Sequence, residues 1–398
     1  MRILVCEPQC WDVEHAHFNS ALLSTILLAY PQAEVLFLCE PGHWQWVQSY
    51  LHQYSGKYLD HLDHAPIKIP APDYVHWALL TPSGFWRELS WVCQVRRLAK
   101  EAQLLVLTSI TNPGLLAIKL SMYLRLLSLP VIVIPHSILA FILHRSRNPL
   151  GRLRNQWFGF QRILKLPHLT RLRYIALGES IQETLQAVDP YLASHFNPMD
   201  IPCFMNTEDI SNNDADPQAI LFGYFGTAGK GFKDFASIAD KISVTEKKVE
   251  FVLVGHSRTE NTNQPCSKKI VGLSSHPLSL DEYTRRAHSI TYAVGITDAP
   301  QRYSLIASAS FLDALSYGKP GIYLNNPFIA HYFNKMGDIG YLCDSTDEIQ
   351  AVIQSIASAF PSERYREQRR NILRGRQIFE PQALAGHFRA IATESGVY

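Results

Sequence analysis

Short apolar runs alternate along the chain with longer segments whose apolar residues recur every three or four positions. The short runs indicate buried strands, and the three-to-four spacing indicates helices. In the first half of the chain, the predicted strands are Arg2–Cys6, Val35–Cys39, Leu104–Leu107 and Val131–Ile134, and the predicted helices are Phe18–Leu28 and Gly114–Leu127. This alternation is typical of a parallel, doubly wound sheet with crossover helices.

The same rhythm begins again after residues 206–218, a polar segment with the composition of a linker. The second set comprises strands at 220–224, 251–254, 291–294 and 321–324, and helices at 232–242, 281–287 and 308–317. We therefore expect an α/β protein with two Rossmann-like domains, at 1–205 and 206–380. We expect a C-terminal helix at 381–398 that packs back on the N-terminal domain.

Composition narrows the class of protein further. The chain has 398 residues, a net charge of +2 and 47% hydrophobic residues, which excludes a disordered chain and bulk attraction to polyanions. Its seven cysteines form no zinc-type spacing, so we expect a reducing cytoplasmic environment and no metal. No apolar stretch is long enough for a membrane span, and the N-terminus does not have the pattern of a signal peptide.

A glycine-rich segment, GTAGKGF at 226–232, follows a predicted strand and opens a predicted helix. Gly226 and Gly229 allow close approach of a ligand to the backbone, Thr227 and Lys230 supply polar groups, and a helix N-terminus favours phosphate. The spacing fits neither a Walker A loop nor a dinucleotide fingerprint. The alternative is a glycine-rich turn with a solvated lysine.

A second segment, ASFLDALSYGKPGIYLNN at 309–326, lies on the last predicted helix of this half and the strand after it. Ser308 and Ser310 lie in its first turn, where hydroxyls and N–H groups can meet a phosphate. Asp313 lies one turn deeper, where a carboxylate can accept from ribose hydroxyls. Gly318 ends the helix and Pro320 follows, as is usual after a C-cap.

In order along the chain, these segments resemble the C-terminal half of GT-B glycosyltransferases. The resemblance implies two domains facing across a cleft, a Lys-Gly loop that contacts the donor diphosphate, and an acidic residue, matched by Asp313, that holds the ribose. The segment FVLVGHSR adds His256 to the expected donor site. Two features depart from the family: Leu305 stands where many retaining members have an acid, and the loop arginine is absent. Arg258 or Arg302 is the candidate replacement, with a surface ion pair as the alternative.

The acceptor side is expected at the carboxyl ends of the N-terminal strands. The loop after the first strand holds Asp12, Glu14, His15 and His17, residue types able to remove a proton from a hydroxyl. A solvated helix-capping loop is the alternative. His136 follows a later buried strand, and the family resemblance implies that it faces the donor sugar.

Charge is distributed unevenly along the chain. Residues 102–178 contain no Asp or Glu but ten Lys or Arg, interleaved with apolar and aromatic residues. This pattern predicts a surface for an anionic membrane or anionic acceptor, and a solvated face or a nucleic-acid site is the alternative. The residues singled out are Arg145, Arg147, Arg152, Arg154, Trp157 and Arg162.

Together these features predict a metal-independent glycosyltransferase that uses a nucleoside diphosphate sugar, with UDP or GDP as the nucleotide. The expected acceptor is a hydroxyl on a glycan or lipid-linked glycan, in cell-surface polysaccharide or glycolipid synthesis at the cytoplasmic membrane face. No nucleic-acid partner is expected. The alternatives are a sugar-nucleotide epimerase and a catalytically degenerate GT-B-like protein that binds glycan or membrane.

Overall fold

The computed structural model describes residues 1–70, 80–143, 149–206, 219–229, 231–242, 248–257, 269–297 and 302–397, with the backbone alone at 56–58, 154 and 302. The chain divides into two compact units. Unit 1 comprises Met1–Phe204, Ser304–Ala307 and Ile378–Tyr398; unit 2 comprises Met205–Tyr303 and Ser308–Gln377. Within the described residues, no helix is both long and apolar enough to cross a membrane.

Unit 1 is built on a seven-stranded sheet in the order β3-β2-β1-β4-β5-β6-β7, with every pair parallel. Its strands are β1 (Arg2–Cys6), β2 (Glu34–Cys39), β3 (Leu62–Pro66), β4 (Leu104–Leu107), β5 (Val131–Val133), β6 (Leu172–Ala176) and β7 (Phe196–Pro198). Its helices are α1 (Ala16–Ala29), α2 (Pro41–Tyr54), α3 (Pro82–Leu98), α4 (Asn112–Tyr123), α5 (Pro149–Phe158), α6 (Phe160–Leu164), α7 (Glu179–Val188) and α8 (Pro190–Ala193).

Unit 2 is built on a six-stranded sheet in the order β10-β9-β8-β11-β12-β13, again with every pair parallel. Its strands are β8 (Ala219–Phe225), β9 (Lys248–Val254), β10 (Ile270–Val271), β11 (Tyr292–Gly295), β12 (Gly321–Leu324) and β13 (Gly340–Cys343). Its helices are α9 (Phe232–Lys241), α10 (Leu280–Ser289), α11 (Ala309–Ser316), α12 (Pro327–Met336), α13 (Thr346–Ala359) and α14 (Glu363–Gly375).

The last helix, α15 (Pro381–Glu394), belongs to unit 1 and packs on α1. Arg389 donates from Nε to the carbonyl of Ala29 at 2.7 Å, so it satisfies a carbonyl at the C-terminal end of α1. Asn197 of β7 donates to Glu394 at 2.9 Å. These bonds fix the end of the chain to unit 1.

Local sequence explains where several helices begin. Thr111 precedes α4 and accepts from the N–H of Gly114 at 2.9 Å, while Pro113 lies in the first turn. Asn326 precedes α12 in the same way, accepting from Ile329 at 3.1 Å before Pro327. A hydroxyl or amide cap with an early proline satisfies N–H groups that the helix leaves open. Both sheets confirm the predicted α/β class.

Candidate functional site

The loop after β8 in unit 2 is shaped by two glycines with positive φ. Gly226 has φ +100°, and a Cβ there would meet nothing within 4 Å, so the backbone angle alone calls for glycine. Gly231 has φ +79°, and a Cβ there would overlap the carbonyl of Ile296, just after β11. Two strand ends are therefore packed closely together where α9 begins. Gly231 gives α9 no side-chain cap, which suits a helix N-terminus that receives an anion.

The loop after β9 supports this glycine loop from the other side. Ala228 donates from its N–H to the carbonyl of His256 at 2.8 Å, and Ala228 forms a parallel bridge with Ser257. The main chain of His256 thus holds the loop in place, while Thr227 and Gly229 are exposed. The candidate residues Gly226, Thr227, Gly229 and His256 lie together at the carboxyl edge of the sheet.

The N-terminal half of α11 and its cap hold three further candidates. Ser308 caps the helix by accepting from the N–H of Phe311 at 3.3 Å, and its Oγ lies 3.2 Å from the Oγ of Ser310. Asp313 accepts from the hydroxyl of Tyr283 at 2.8 Å. Sequence reasoning missed Tyr283, which lies on α10. Its bond fixes the orientation of the Asp313 carboxylate.

The structure does not describe the side chains of the three predicted cations of this site. Lys230 and Arg258 lie outside the described residues, and Arg302 is described for its backbone alone. Leu305, at the position where many retaining members have an acid, is buried.

The carboxyl edge of the unit 1 sheet centres on a residue that the sequence reasoning did not single out. Glu7 follows β1 and is fully buried. Five groups donate to its carboxylate, from the β1–α1 loop, from α1 and from the loop after β4. They are the N–H groups of Gln9 at 2.9 Å and Cys10 at 3.1 Å, Asn19 Nδ2 at 3.2 Å, Thr108 Oγ1 at 2.7 Å and Ser109 Oγ.

Glu7 stays charged. Burial by itself raises the pKa of a carboxyl, but the positive charge that His43 carries at the acidic pH where Glu7 titrates, the bonds from Ser109 and Thr108 and the proximity of His15 together lower the pKa of Glu7 to about 2. The signal in the sequence was an acid directly after a buried run, at the sheet edge where ligands bind.

A hydrogen-bonded chain connects Glu7 to the loop of candidate catalytic residues. His43 Nδ1 lies 2.7 Å from the carbonyl of Asp12, and a carbonyl only accepts, so Nδ1 carries the proton. His43 Nε2 then accepts from Asn19 Nδ2 at 2.9 Å, and the same amide donates to Glu7. Asp12 and His15 both have positive φ, at 46° and 55°, so the loop that they form is held in a costly conformation.

His136 lies just beyond β5 and meets His15. Their ring centroids are 4.7 Å apart, and Phe18 contacts His136 edge-on at 4.5 Å. Burial and the neighbouring His15 lower the pKa of His136 to about 3. Its Nε2 is buried without a hydrogen-bond partner among the described residues. His136 is therefore a neutral ring with an unused polar atom.

The other candidates on this loop separate into two groups. Asp12, Glu14 and His15 have exposed side chains beside the His136 cluster. His17 instead stacks on Tyr50 at 5.0 Å with Phe204 at 5.9 Å, within an aromatic cluster on α2. The structure thus brings His15 to His136 and packs His17 on α2. The helix α1 begins after His15 with no side-chain cap, so Asp12 is not its cap.

One trio at this edge has the spacing of a metal site. Single ligand atoms of Glu7, Cys10 and His15 lie within 4.8 Å of one another. Its chemistry does not suit a cation, because both Glu7 oxygens already accept hydrogen bonds and burial raises the pKa of Cys10 well above its ordinary value. We derive no metal chemistry from it.

The candidates of the basic segment lie on α5 and α6. Arg152 and Trp157 are exposed on α5, and Arg162 is exposed on α6. Arg154 is described for its backbone alone, and Arg145 and Arg147 lie outside the described residues.

No family model and no curated protein matches the chain. The chain does match solved structures. The chain is similar to HepE of Anabaena in complex with UDP and glucose, with 14% identity, a TM-score of 0.62 and coverage of 99% of this chain and 100% of HepE. The chain has the GT-B fold.

Two further structures share the GT-B fold over nearly the whole chain. Sucrose-phosphate synthase from Thermosynechococcus elongatus matches with 11% identity and a TM-score of 0.64, covering 99% of this chain and 98% of that one. WaaG, described as a glycosyltransferase involved in lipopolysaccharide biosynthesis, matches with 11% identity and a TM-score of 0.64, covering 98% and 99%. Similarity at this level of identity establishes the fold, and the chemistry has to be argued from the site.

Proposed function

We propose that the protein is a glycosyltransferase that moves a sugar from a nucleoside diphosphate sugar to a hydroxyl of a glycan or lipid-linked acceptor. The observation that carries this proposal is the carboxyl edge of the unit 2 sheet. There β8 leads into the glycine loop and α9, and the ring of Phe225 at the end of β8 lies 6.5 Å from that of Tyr283, which bonds Asp313 on α11. HepE, which has the same fold, has been crystallised with UDP and with UDP-glucose, which supports UDP as the first nucleotide to test.

The donor half has groups suited to each part of the nucleotide. The loop at Gly226 and Gly229 and the open N-terminus of α9 would receive the diphosphate, with Lys230 as a point charge. Asp313, oriented by Tyr283, would accept from the ribose hydroxyls. Stabilising the departing diphosphate with fixed N–H groups is the main catalytic contribution that we assign to this half, and it requires no metal.

In the acceptor half, we assign hydrogen bonding to the sugar and removal of the acceptor proton to different residues. A general base works best with a pKa near the working pH, and the pKa of His136 is about 3, so His136 is suited to bind a sugar hydroxyl through Nε2. The exposed carboxylates of Asp12 and Glu14 and the exposed ring of His15 are the candidates to remove the acceptor proton.

Nucleotide binding tests the donor site directly. We would measure thermal stability with UDP, GDP, dTDP, ADP and CMP in the presence of a chelator. A ligand at roughly 100 times its Kd stabilises the folded protein by about 2.7 kcal/mol, which is a clear shift. A shift with one diphosphate supports the proposal, and the absence of any shift contradicts it.

A matched pair of tyrosines localises the binding. Tyr283→Phe removes the bond that orients Asp313, so it should weaken nucleotide binding about fivefold. Tyr317→Phe is the control, because the Tyr317 hydroxyl lies 3.1 Å from Thr284 on the same pair of helices. Equal affinities of the two variants would remove Asp313 from the donor site.

A GT-B protein that binds glycan without transferring sugar is the second candidate. The buried Leu305 favours it, since that position offers no carboxylate. Incubation with the nucleotide sugar and a panel of glycan acceptors distinguishes a transferase from a glycan-binding protein. Only a transferase releases nucleoside diphosphate in an amount that increases with the acceptor concentration.

A further inference from the structure

The helix α5 presents its apolar side chains to solvent. Leu150, Leu153 and Trp157 are spaced three and four residues apart, so they share one face. Their exposures are 75%, 54% and 57%. The less exposed positions, Gly151 and Asn155, lie on the opposite side of the helix.

This arrangement is the reverse of an ordinary surface helix. An amphipathic helix normally turns its apolar stripe to the core, and its polar residues to water. Here a glycine and an asparagine face the protein, and leucines and a tryptophan face outward. Phe158 at the end of α5 is exposed as well. A contiguous exposed apolar stripe of this kind marks a surface that contacts another apolar phase.

The stripe is firmly attached to unit 1. The carbonyl of Phe158 accepts from Asn112 Nδ2 at 2.8 Å and from the N–H of Leu80 at 3.0 Å. Next to it, the buried Lys119 donates to the carbonyls of Ile163 and Leu164 at 2.9 and 3.0 Å, at the end of α6. The C-terminal end of α5 and the adjoining α6 are therefore anchored to unit 1.

Positive charge surrounds the stripe. Arg152 is exposed on α5, and the guanidinium of Arg162 lies 6.0 Å from the centre of the Trp157 ring. Arg154 is part of the same helix, and Arg145 and Arg147 precede it in a stretch of sequence without acids. Not every cation of the segment contributes, because Lys165 is bound to Asp189 at 2.6 Å.

From this combination we propose that α5 is a docking surface for an anionic lipid bilayer, with the helix lying in the plane of the headgroups. The leucines and Trp157 would enter the headgroup–acyl boundary, where tryptophan is favoured, and the arginines would bind lipid phosphates. The cytoplasmic leaflet carries the negative charge that such a surface needs. A soluble polyanion would be bound by the arginines but would leave the apolar stripe in water.

Vesicle flotation of the full chain tests the proposal. We would compare vesicles of phosphatidylcholine alone with vesicles of phosphatidylcholine and phosphatidylglycerol. Binding is expected on the phosphatidylglycerol vesicles, with a decrease at higher salt. Trp157→Ser should weaken that binding about tenfold, and Leu153→Ser should weaken it severalfold. Arg162→Gln should weaken it about fivefold.

The control is an exposed leucine in unit 2. Leu273 is 48% exposed, close to Leu153, so Leu273→Ser removes a similar apolar area and should leave vesicle binding unchanged. All of these changes are at exposed positions, where effects on folding are small.

Three results would overturn the proposal: no binding to phosphatidylglycerol vesicles, equal binding to both vesicle types, or full binding by the Leu153 and Trp157 variants. Heparin binding that depends on the arginines but not on the stripe would assign the surface to a soluble polyanion instead. Vesicle binding involves no sugar transfer, so its failure leaves the nucleotide experiment to decide the proposed function separately.

Discussion

Replacing Glu7 with glutamine tests whether the buried carboxylate organises the ligand edge of unit 1. Glutamine has nearly the same shape, but it offers one acceptor oxygen where the carboxylate offers two. Its amide N–H groups would face one set of donors, either the N–H groups of Gln9 and Cys10 or the groups from Asn19 and Thr108. Buried donors that face other donors lose their hydrogen bonds. Each of them then costs the free energy of removing a polar group from water.

The size of the effect follows from the pKa of Glu7. Its pKa falls from an ordinary value of 4.5 to about 2 in the folded protein. At about 1.4 kcal/mol per pKa unit, a shift of this kind stabilises unit 1 by an amount on the order of 1 to 3 kcal/mol near neutral pH, and the upper value requires a charged His43. The folded pKa is the lower one, so this contribution is present above about pH 4.5 and is lost as the pH falls toward 2.

The chain offers a selective probe for this measurement. All seven tryptophans lie between residues 11 and 157, so urea unfolding followed by tryptophan fluorescence reports on unit 1. Glu7→Gln should lower the unfolding free energy by roughly 1 to 3 kcal/mol near pH 7 and by less near pH 3. Glu101→Gln is the control, since the exposed Glu101 forms a surface ion pair with Arg2, worth at most ~1 kcal/mol.

Two outcomes would refute this reasoning. If Glu7→Gln and Glu101→Gln cost the same near pH 7, the five donors do not stabilise the carboxylate as described. If the loss caused by Glu7→Gln is equal at both pH values, the cost arises from packing and not from the charge on Glu7.

Three further variants extend these arguments. Burial raises the pKa of Glu88 to about 7, so the wild type should lose stability as the pH rises from about 5 to 8, and Glu88→Gln should remove that slope in the tryptophan assay. Lys119→Met leaves three carbonyls without their donor and should cost about 3 kcal/mol by the same assay, whereas the exposed Lys100→Met should cost little. His136→Gln should slow sugar transfer without changing its pH profile near neutrality, because the His136 ring does not titrate there.

The alternation of apolar runs and helical segments was sufficient to predict the α/β class. Strands buried on both faces are almost wholly apolar, as in β1 and β4, and they stand out in the sequence. The pattern missed strands at the sheet edges. The β3 sequence, Leu-Asp-His-Ala-Pro, is polar because an edge strand is only half buried. Its place in the sheet is set by pairing with β2, which no local pattern records.

The local structure of the candidate donor site could be predicted further than that of the candidate acceptor site. Glycines and a capped helix are local features, so the loop after β8 and the serines of α11 were recognisable from spacing. The hydrogen bond from Tyr283 to Asp313 could not be predicted from spacing, because the two residues are 30 positions apart and meet only in the folded chain. The Glu7 network joins β1, α1, α2 and the loop after β4, and such long-range contacts leave no periodic signal.

Glu7 and Glu88 show how the same fold shifts the pKa values of two buried carboxyls in opposite directions. Both are fully buried in unit 1, and burial alone would raise the pKa of each. Glu7 accepts five hydrogen bonds and stays charged, while Glu88 has one oxygen without a partner among the described residues, and its pKa rises to about 7. The histidines beside Glu7 and its larger number of donors therefore account for the difference between the two carboxyls. At the ligand edge, Glu7 is a fixed negative charge with no capacity to take a proton near neutral pH. If this edge binds the acceptor as we propose, we expect the exposed groups of Asp12, Glu14 or His15 to take the acceptor proton.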